Sequence, residues 1–326
     1  MSFEVKDLVG LSKPLEKLID VVSSAVGTVY RPRQIRSDAD AKAYEIKTLE
    51  RAKVEAELDG SSARFNVLRD RVSAIAKEYP ELADRAKQRL LAREIEGQLN
   101  VEQIADQAAL ALPAAVSNDP VGADWRRKFF MEAENVCEVD MQALWGKVLA
   151  GEIAQPGSFG LRTLETLKQL TREEAEMFRK MCGLAMNDGA VLVPGFDINT
   201  ALKAFDFDFH SILQLRDAGL VLHGDGICKN FAPVDPMAPP AEYKITLMNN
   251  GVLIQLSGPG LPTLNHLSLI FTQAGRELQR LIANEPNDTY LSQLGATLRQ
   301  RSVVVKRGTL VPQDANSSLI VFEQDL

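Results

Sequence analysis

From Lys13 to Asn187 the apolar residues of this chain recur at steps of three and four, and short alternating runs begin only at residue 190. A period near 3.6 places apolar side chains on one face of a helix, whereas a period of two divides them between the faces of a strand. The expected fold is therefore mainly α, with a helical N-terminal half and an α+β C-terminal module. The 326 residues are enough for two cores. Alternation falls at 190–194, 219–223, 243–256, 266–272 and 302–306.

The first helical period runs from Lys13 to Val29. Leu15, Leu18, Ile19, Val22, Ala25, Val26 and Val29 form one stripe, with Lys13, Glu16, Lys17, Asp20 and Ser23 opposite. Arg31-Pro32-Arg33 breaks the helix, and Arg36 extends the basic run. Such a stripe calls for a cover: this protein, a second copy of it, or, given the arginines, a membrane surface. The following helix, Ser37 to Leu58, is highly charged and its apolar positions are too sparse for a coiled-coil seam. It offers little to hold the first helix against its own domain. A homo-oligomer built through Leu15, Leu18, Ile19, Val22 and Val26 is expected, with Arg31, Arg33 and Arg36 as neighbouring interaction residues.

Further helical periods occupy 63–78 and 81–98, split by Pro80. Asn100 followed by Gln103 has the form of a capping box and predicts a separate helix through Leu110, stopped by Pro113. Asp124 caps a helix carrying Trp125, Phe129 and Phe130. The next helix spans Glu138 to Ala150, with Gly151 suited to the C′ position. Ser158 precedes the stripe Leu161, Leu164, Leu167, and Thr171 with Glu174 forms a second capping box.

After Thr171 the order is helix (171–186), strand (190–193), helix (Asn199 to Phe205) and helix (Asp208 to Asp217). There follow A-G-L-V-L and a hairpin, 243–248 with 252–256, around Asn249-Asn250-Gly251. Three helices followed by a strand pair is a winged-helix-like order. The remaining tail, 286–326, reads as a helix (Asp288 to Arg299) and a strand pair, 302–306 with 318–323. The expected organisation is an amphipathic helix and basic linker (1–36), a helical domain (37–160), a winged-helix-like domain (161–285) and a C-terminal helix and strand pair (286–326).

The runs D-W-R-R-K-F-F (124–130), D-M-Q-A-L-W-G-K-V-L-A-G-E (140–152), P-G-S-F-G-L-R-T-L-E (156–165) and L-T-R-E-E-A-E-M-F (170–178) resemble a bacterial family known as domain of unknown function 2806. The likeness extends more weakly to Y-R-P-R-Q-I-R (30–36) and F-T-Q-A-G-R-E-L (271–278). Cys137, Gly160 and Phe271 depart from the family's pattern, which has Ser, Ser and Leu there. The resemblance implies a bacterial source and an architecture, brings no catalytic residues, and suggests a setting in antiphage defence. Within these runs Trp125, Phe129, Phe130 and Trp145 are expected to lock two helices together, Gln142 and Arg162 to satisfy loop carbonyls, and Gly151 to end a helix.

Well-defined catalytic signatures are absent: there is no G-x-x-x-x-G-K-[ST], G-x-G-x-x-G, H-E-x-x-H or G-x-S-x-G. Cys137, Cys182 and Cys228 are widely spaced without C-x-x-C, which fits a reducing compartment and no disulfide scaffold. His210, His223 and His266 share no helix-face spacing, so no metal site and no cofactor are expected. No apolar run reaches 18 residues and the first residues lack a signal-peptide pattern, so a cytoplasmic protein is expected, with the inner-membrane surface as the alternative. Two weak catalytic matches stand out. Arg216 and His223 have the R-x6-H spacing of a class of ribonucleases, in which the pair lies on a helix. Glu242-Tyr243-Lys244, behind Asp225 or Asp235, has the E-x-K form of metal-dependent nucleases.

Winged helices often bind DNA, yet residues 163–290 carry ten basic and fifteen acidic side chains, net −5. Asp206 and Asp208 stand where phosphate neighbours would want Lys or Arg. Duplex DNA is not an expected partner, and Phe205, Phe207 and Phe209 are expected in the core. Arg299, Arg301, Lys306 and Arg307 form the one basic patch, read as a solvated strand edge. The preferred function is therefore non-enzymatic assembly or sensing through contacts with a protein partner. The alternatives are a defence ribonuclease or nuclease, and a membrane-acting effector using the N-terminal helix.

Overall fold

The computed structural model describes residues 12–27, 30, 72–231, 244–314 and 317–325. The chain divides into two compact units, 1–158 and 159–326. The first contains α1 (Lys13–Val26), a helical stretch at 72–78, α2 (Pro80–Ala111), α3 (Ala123–Ala133) and α4 (Val139–Ala154). Pro14 sits in the first turn of α1, and Gly27 ends the helix at φ 73°, its N–H bonded to Ser23 O.

The N-terminal stripe is covered by its own unit. Leu18, Ile19 and Val22 are at most 2% exposed, Leu15 and Val26 are half-buried, and α1 packs against α2, α3 and α4. This corrects the expectation that the domain has nothing to cover the stripe. The cover comes from helices that begin more than fifty residues further along the chain. Lys17 fixes the docking: its ammonium donates to Ser117 O (3.0 Å), Asp119 O (2.8 Å) and Ile153 O (2.8 Å), and Lys13 reaches Asn118. Arg31, Arg33, Arg36 and the Ser37 to Leu58 segment lie outside the described residues.

Two boundaries also differ from the sequence reading. Residues 80–111 form one helix, because the Asn100 side chain is spent on tertiary partners: it donates to Glu134 O (2.8 Å) and accepts from Gln142 Nε2 (3.1 Å) instead of capping a helix start. Nor does Gly151 end a helix. α4 continues through it to Ala154, since Glu152 and Ile153 are both buried and their packing outweighs the cost of an internal glycine. Gly157, at φ 88°, makes the turn instead, its N–H bonded to Glu152 Oε1.

The second unit begins with α5 (Leu161–Gln169) and α6 (Arg172–Leu184). β1 (Ala190–Leu192), α7 (Ile198–Lys203), α8 (Phe209–Asp217) and β2 (Cys228–Asn230) follow. The Thr171–Glu174 capping box is present in both directions: Glu174 N donates to Thr171 Oγ1 and Thr171 N to Glu174 Oε2. Next come β3 (Lys244–Asn249), β4 (Val252–Ser257), β5 (Asn265–Ile270), α9 (Gln273–Gln279), α10 (Asp288–Arg299), β6 (Val304–Asp314) and β7 (Ser317–Asp325).

Two antiparallel sheets result, ordered β1-β5-β2 and β3-β4-β6-β7. The predicted Asn-Gly hairpin is real, with Asn250 and Gly251 both at positive φ, but it pairs with β6 and not with β1. The strand that completes the first sheet is β5. The expected 219–223 strand reduces to one bridge, Val221 to Phe271. Phe207 is buried and Phe205 packs edge-on against Tyr290, whereas Phe209 is 52% exposed and leaves the predicted core. Lys306 and Arg307 lie on β6, between β4 and β7, so they do not form a strand edge.

Candidate functional site

The motif residues of the first unit build a packed junction. Trp125 stacks on Phe129 (4.9 Å), which also meets Phe130 (5.2 Å) and Trp145 (5.1 Å). Gln142 donates to Val136 O (2.9 Å) and to Asn100 Oδ1, so two amides hold the 134–137 loop. Next to Trp145, Gly146 lets α4 cross α2: a Cβ there would lie 2.5 Å from Gln107 Cβ and 2.9 Å from Ala108 N. Arg162 does not serve the loop. It is exposed and makes no hydrogen bond among the described residues.

The F-T-Q-A-G-R-E-L run of the second unit is equally structural. Thr272 caps α9, accepting from Gly275 N and donating to Gly219 O (2.6 Å). Gly275 admits Leu220 O, which would stand 2.2 Å from a Cβ. The buried Glu277 carboxylate accepts from Gly160 N (2.8 Å) and from Thr163 Oγ1, capping the start of α5.

The R-x6-H match is not assembled on one helix. Arg216 is buried near the end of α8, its guanidinium donating to Gly224 O (2.7 Å) and Asp225 Oδ1 (3.1 Å). His223 is exposed in the loop that follows, so the R-x6-H pair does not share a helix. Asp225 is the exposed partner of Arg216, while Glu242, Tyr243 and Asp235 lie outside the described residues.

Cys228 and His266 border one cleft of about 200 Å³, with Phe196 and Arg301. In the ladder, however, Cys228 is paired with Leu267 and His266 with Lys229, which places thiol and imidazole on opposite faces. His266 Nε2 is bonded to Val193 O (2.9 Å), and Arg301 donates to Asn265 O (2.7 Å). Burial pushes the Cys182 thiol well above its ordinary range, which makes it inert. Among the described residues no group of three or more His, Cys, Asp or Glu is placed to hold a metal ion, and no helix is long and apolar enough to cross a membrane.

The surface that stands out is α2. Its C-terminal half docks into the unit through Gly97, Val101, Ile104, Ala105 and Ala108. Its N-terminal half does not: every residue from Glu81 to Glu96 except Ala83 is exposed. That free arm, roughly 25 Å long at 1.5 Å per residue, carries Leu82 (49% exposed), Leu90 (61%), Leu91 (46%) and Ile95 (54%). Leu99, one turn further on, is 46% exposed. Sequence reasoning assigned a helix here but gave it no role, because its apolar positions look like ordinary core until their exposure is known.

The profile of the family described as "Protein of unknown function (DUF2806)" matches residues 84–295. The chain belongs to the DUF2806 family. No curated protein and no solved structure matches it. The DUF2806 match begins inside the α2 arm, takes in the aromatic junction and the Thr272–Glu277 cap, and ends within α10. In this DUF2806 chain α8 presents Phe209 and Leu213, one turn apart and 52% and 38% exposed, beside Asp206, Asp208 and Asp217. Hydrogen bonds from Ser211 hold the Asp208 carboxyl below its ordinary pKa.

Proposed function

We propose that this DUF2806 protein works as a non-enzymatic assembly or sensor protein, through protein–protein contacts. The observation that carries the reading is the α2 arm. Burying a Leu or Ile side chain is worth roughly 1.5–3 kcal/mol, and four such side chains stand exposed on the 81–96 half of the helix, which has almost no covered face among the described residues. A helix of this kind is stabilised by what it binds.

We read α6, β1, α7, α8, β2 and β5 as a winged helix with the β3–β4 hairpin inserted between its last two strands, used for protein contacts. The exposed face of α8 supports this, since its acids repel phosphate while Phe209 and Leu213 suit an apolar partner. A defence setting enters this reading through the bacterial resemblance alone, and the genes flanking the locus test it.

The decisive assay incubates the purified protein with labelled RNA and DNA plus Mg²⁺. No cleavage is expected. Cleavage that is abolished by Arg216→Ala or His223→Ala overturns the reading in favour of a nuclease.

A further inference from the structure

We infer that the α2 arm pairs with the α2 arm of a second copy, antiparallel and about a two-fold axis level with the Leu90–Leu91 peptide. The inference rests on reading the arm as a contact surface and names its partner. Leu82, Arg85, Arg89, Ala92, Glu96 and Leu99 follow one another at steps of three and four and so share one helix face, with a leucine at each end and charge between them. All six are exposed. The seam lies away from the docked face, since Leu99 is exposed while its neighbours Gly97 and Asn100 are buried.

Charge decides the direction of pairing. In a parallel pair the seam sets Arg85, Arg89 and Glu96 each against its own copy, three like-charge contacts. In the antiparallel pair centred between Leu90 and Leu91, Leu82 faces Leu99 of the second copy, Arg85 faces Glu96 and Arg89 faces Ala92, each contact occurring twice. Ala86 and Ile95 flank the same seam. Arg85 meanwhile makes only an exposed contact with Glu81 on its own helix, 3.7 Å, which a partner carboxylate can replace at little cost.

One neighbouring face is closed. The row Ala83, Lys87, Leu90, Glu94, Gly97 runs into its own unit at Gly97, where an added Cβ would lie 3.3 Å from Glu134 Cβ. Lys87 is thus off the paired seam and serves as a control. The pairing is isologous: the same patch serves both copies and the assembly closes at two.

Sedimentation equilibrium and light scattering on the full-length chain, over a wide concentration range, test this. The expected mass is twice the 35.9 kDa of the chain. Arg85→Glu and Glu96→Arg should each weaken association roughly tenfold, because two attractions become two repulsions. The double variant R85E/E96R should restore association, and Lys87→Gln should leave it unchanged, with circular dichroism confirming that every variant folds. A 35.9 kDa monomer at all concentrations overturns the dimer, as does a folded double variant that stays as weak as the single ones. Either result leaves the non-enzymatic reading to its own cleavage assay.

Discussion

His266 lies on β5 with 2% of its surface exposed, and its Nε2–H donates to Val193 O. Burial holds its pKa below the ordinary 6.5; the bond to Val193 opposes this in part, and the nearby Arg301 cation adds to it. The neutral ring is the form that the fold accepts. As pH falls below about 6.5 the unfolded chain takes up a proton that the folded one refuses, so this contribution to stability is present at neutral pH and lost on acidification. Thermal unfolding followed between pH 7.5 and 5 should show a fall in midpoint that His266→Gln flattens. Equal slopes for the two proteins would count against it. Lys17 is the second residue with a clear signature. Lys17→Met strips a donor from three carbonyls that hold α1, and should lower the stability of the first unit by roughly 1.5–3 kcal/mol in urea titrations.

At the scale of elements, the crossing of α2 and α4 depends on the missing side chain of Gly146. Gly146→Ala forces a methyl to 2.5 Å from Gln107 Cβ, and the overpacking should cost roughly 1–3 kcal/mol. Differential scanning calorimetry reads that loss, and a midpoint equal to wild type would show that the helices can part without penalty. Elements were legible in the sequence where a local rule was also the strongest rule. Thr171 and Glu174 have no better partners than each other, so their capping box forms. Asn100 and Gln103 have the same form, but Asn100 finds Glu134 and Gln142 across the unit and the helix runs on. The cover over α1 was illegible for a related reason: Leu18 and Ile19 show that they need burial, while the segments that bury them come from three helices far along the chain. The exposed half of α2 was the converse case, since Leu82 and Leu90 have core periodicity and only the fold shows that no core among the described residues reaches them.

For the whole molecule, the acid excess of residues 163–290 predicts the behaviour of full-length protein towards nucleic acid. It should not shift duplex DNA at physiological salt. Binding tighter than about 10⁻⁶ M, the tighter end of ordinary non-specific affinity, would contradict the proposed use of the winged helix for protein contacts. The buried stripe of α1 predicts in the same way that the protein does not float with anionic liposomes; co-flotation would mean that α1 leaves its docking site. An α2 arm that pairs with a second copy becomes protected as copies meet. Hydrogen exchange of residues 82–96, read by mass spectrometry at increasing protein concentration, tests it most directly. Exchange of the arm should slow as the protein is concentrated, with the docked segment 101–108 slow throughout. Fast exchange of the arm at every concentration would contradict it.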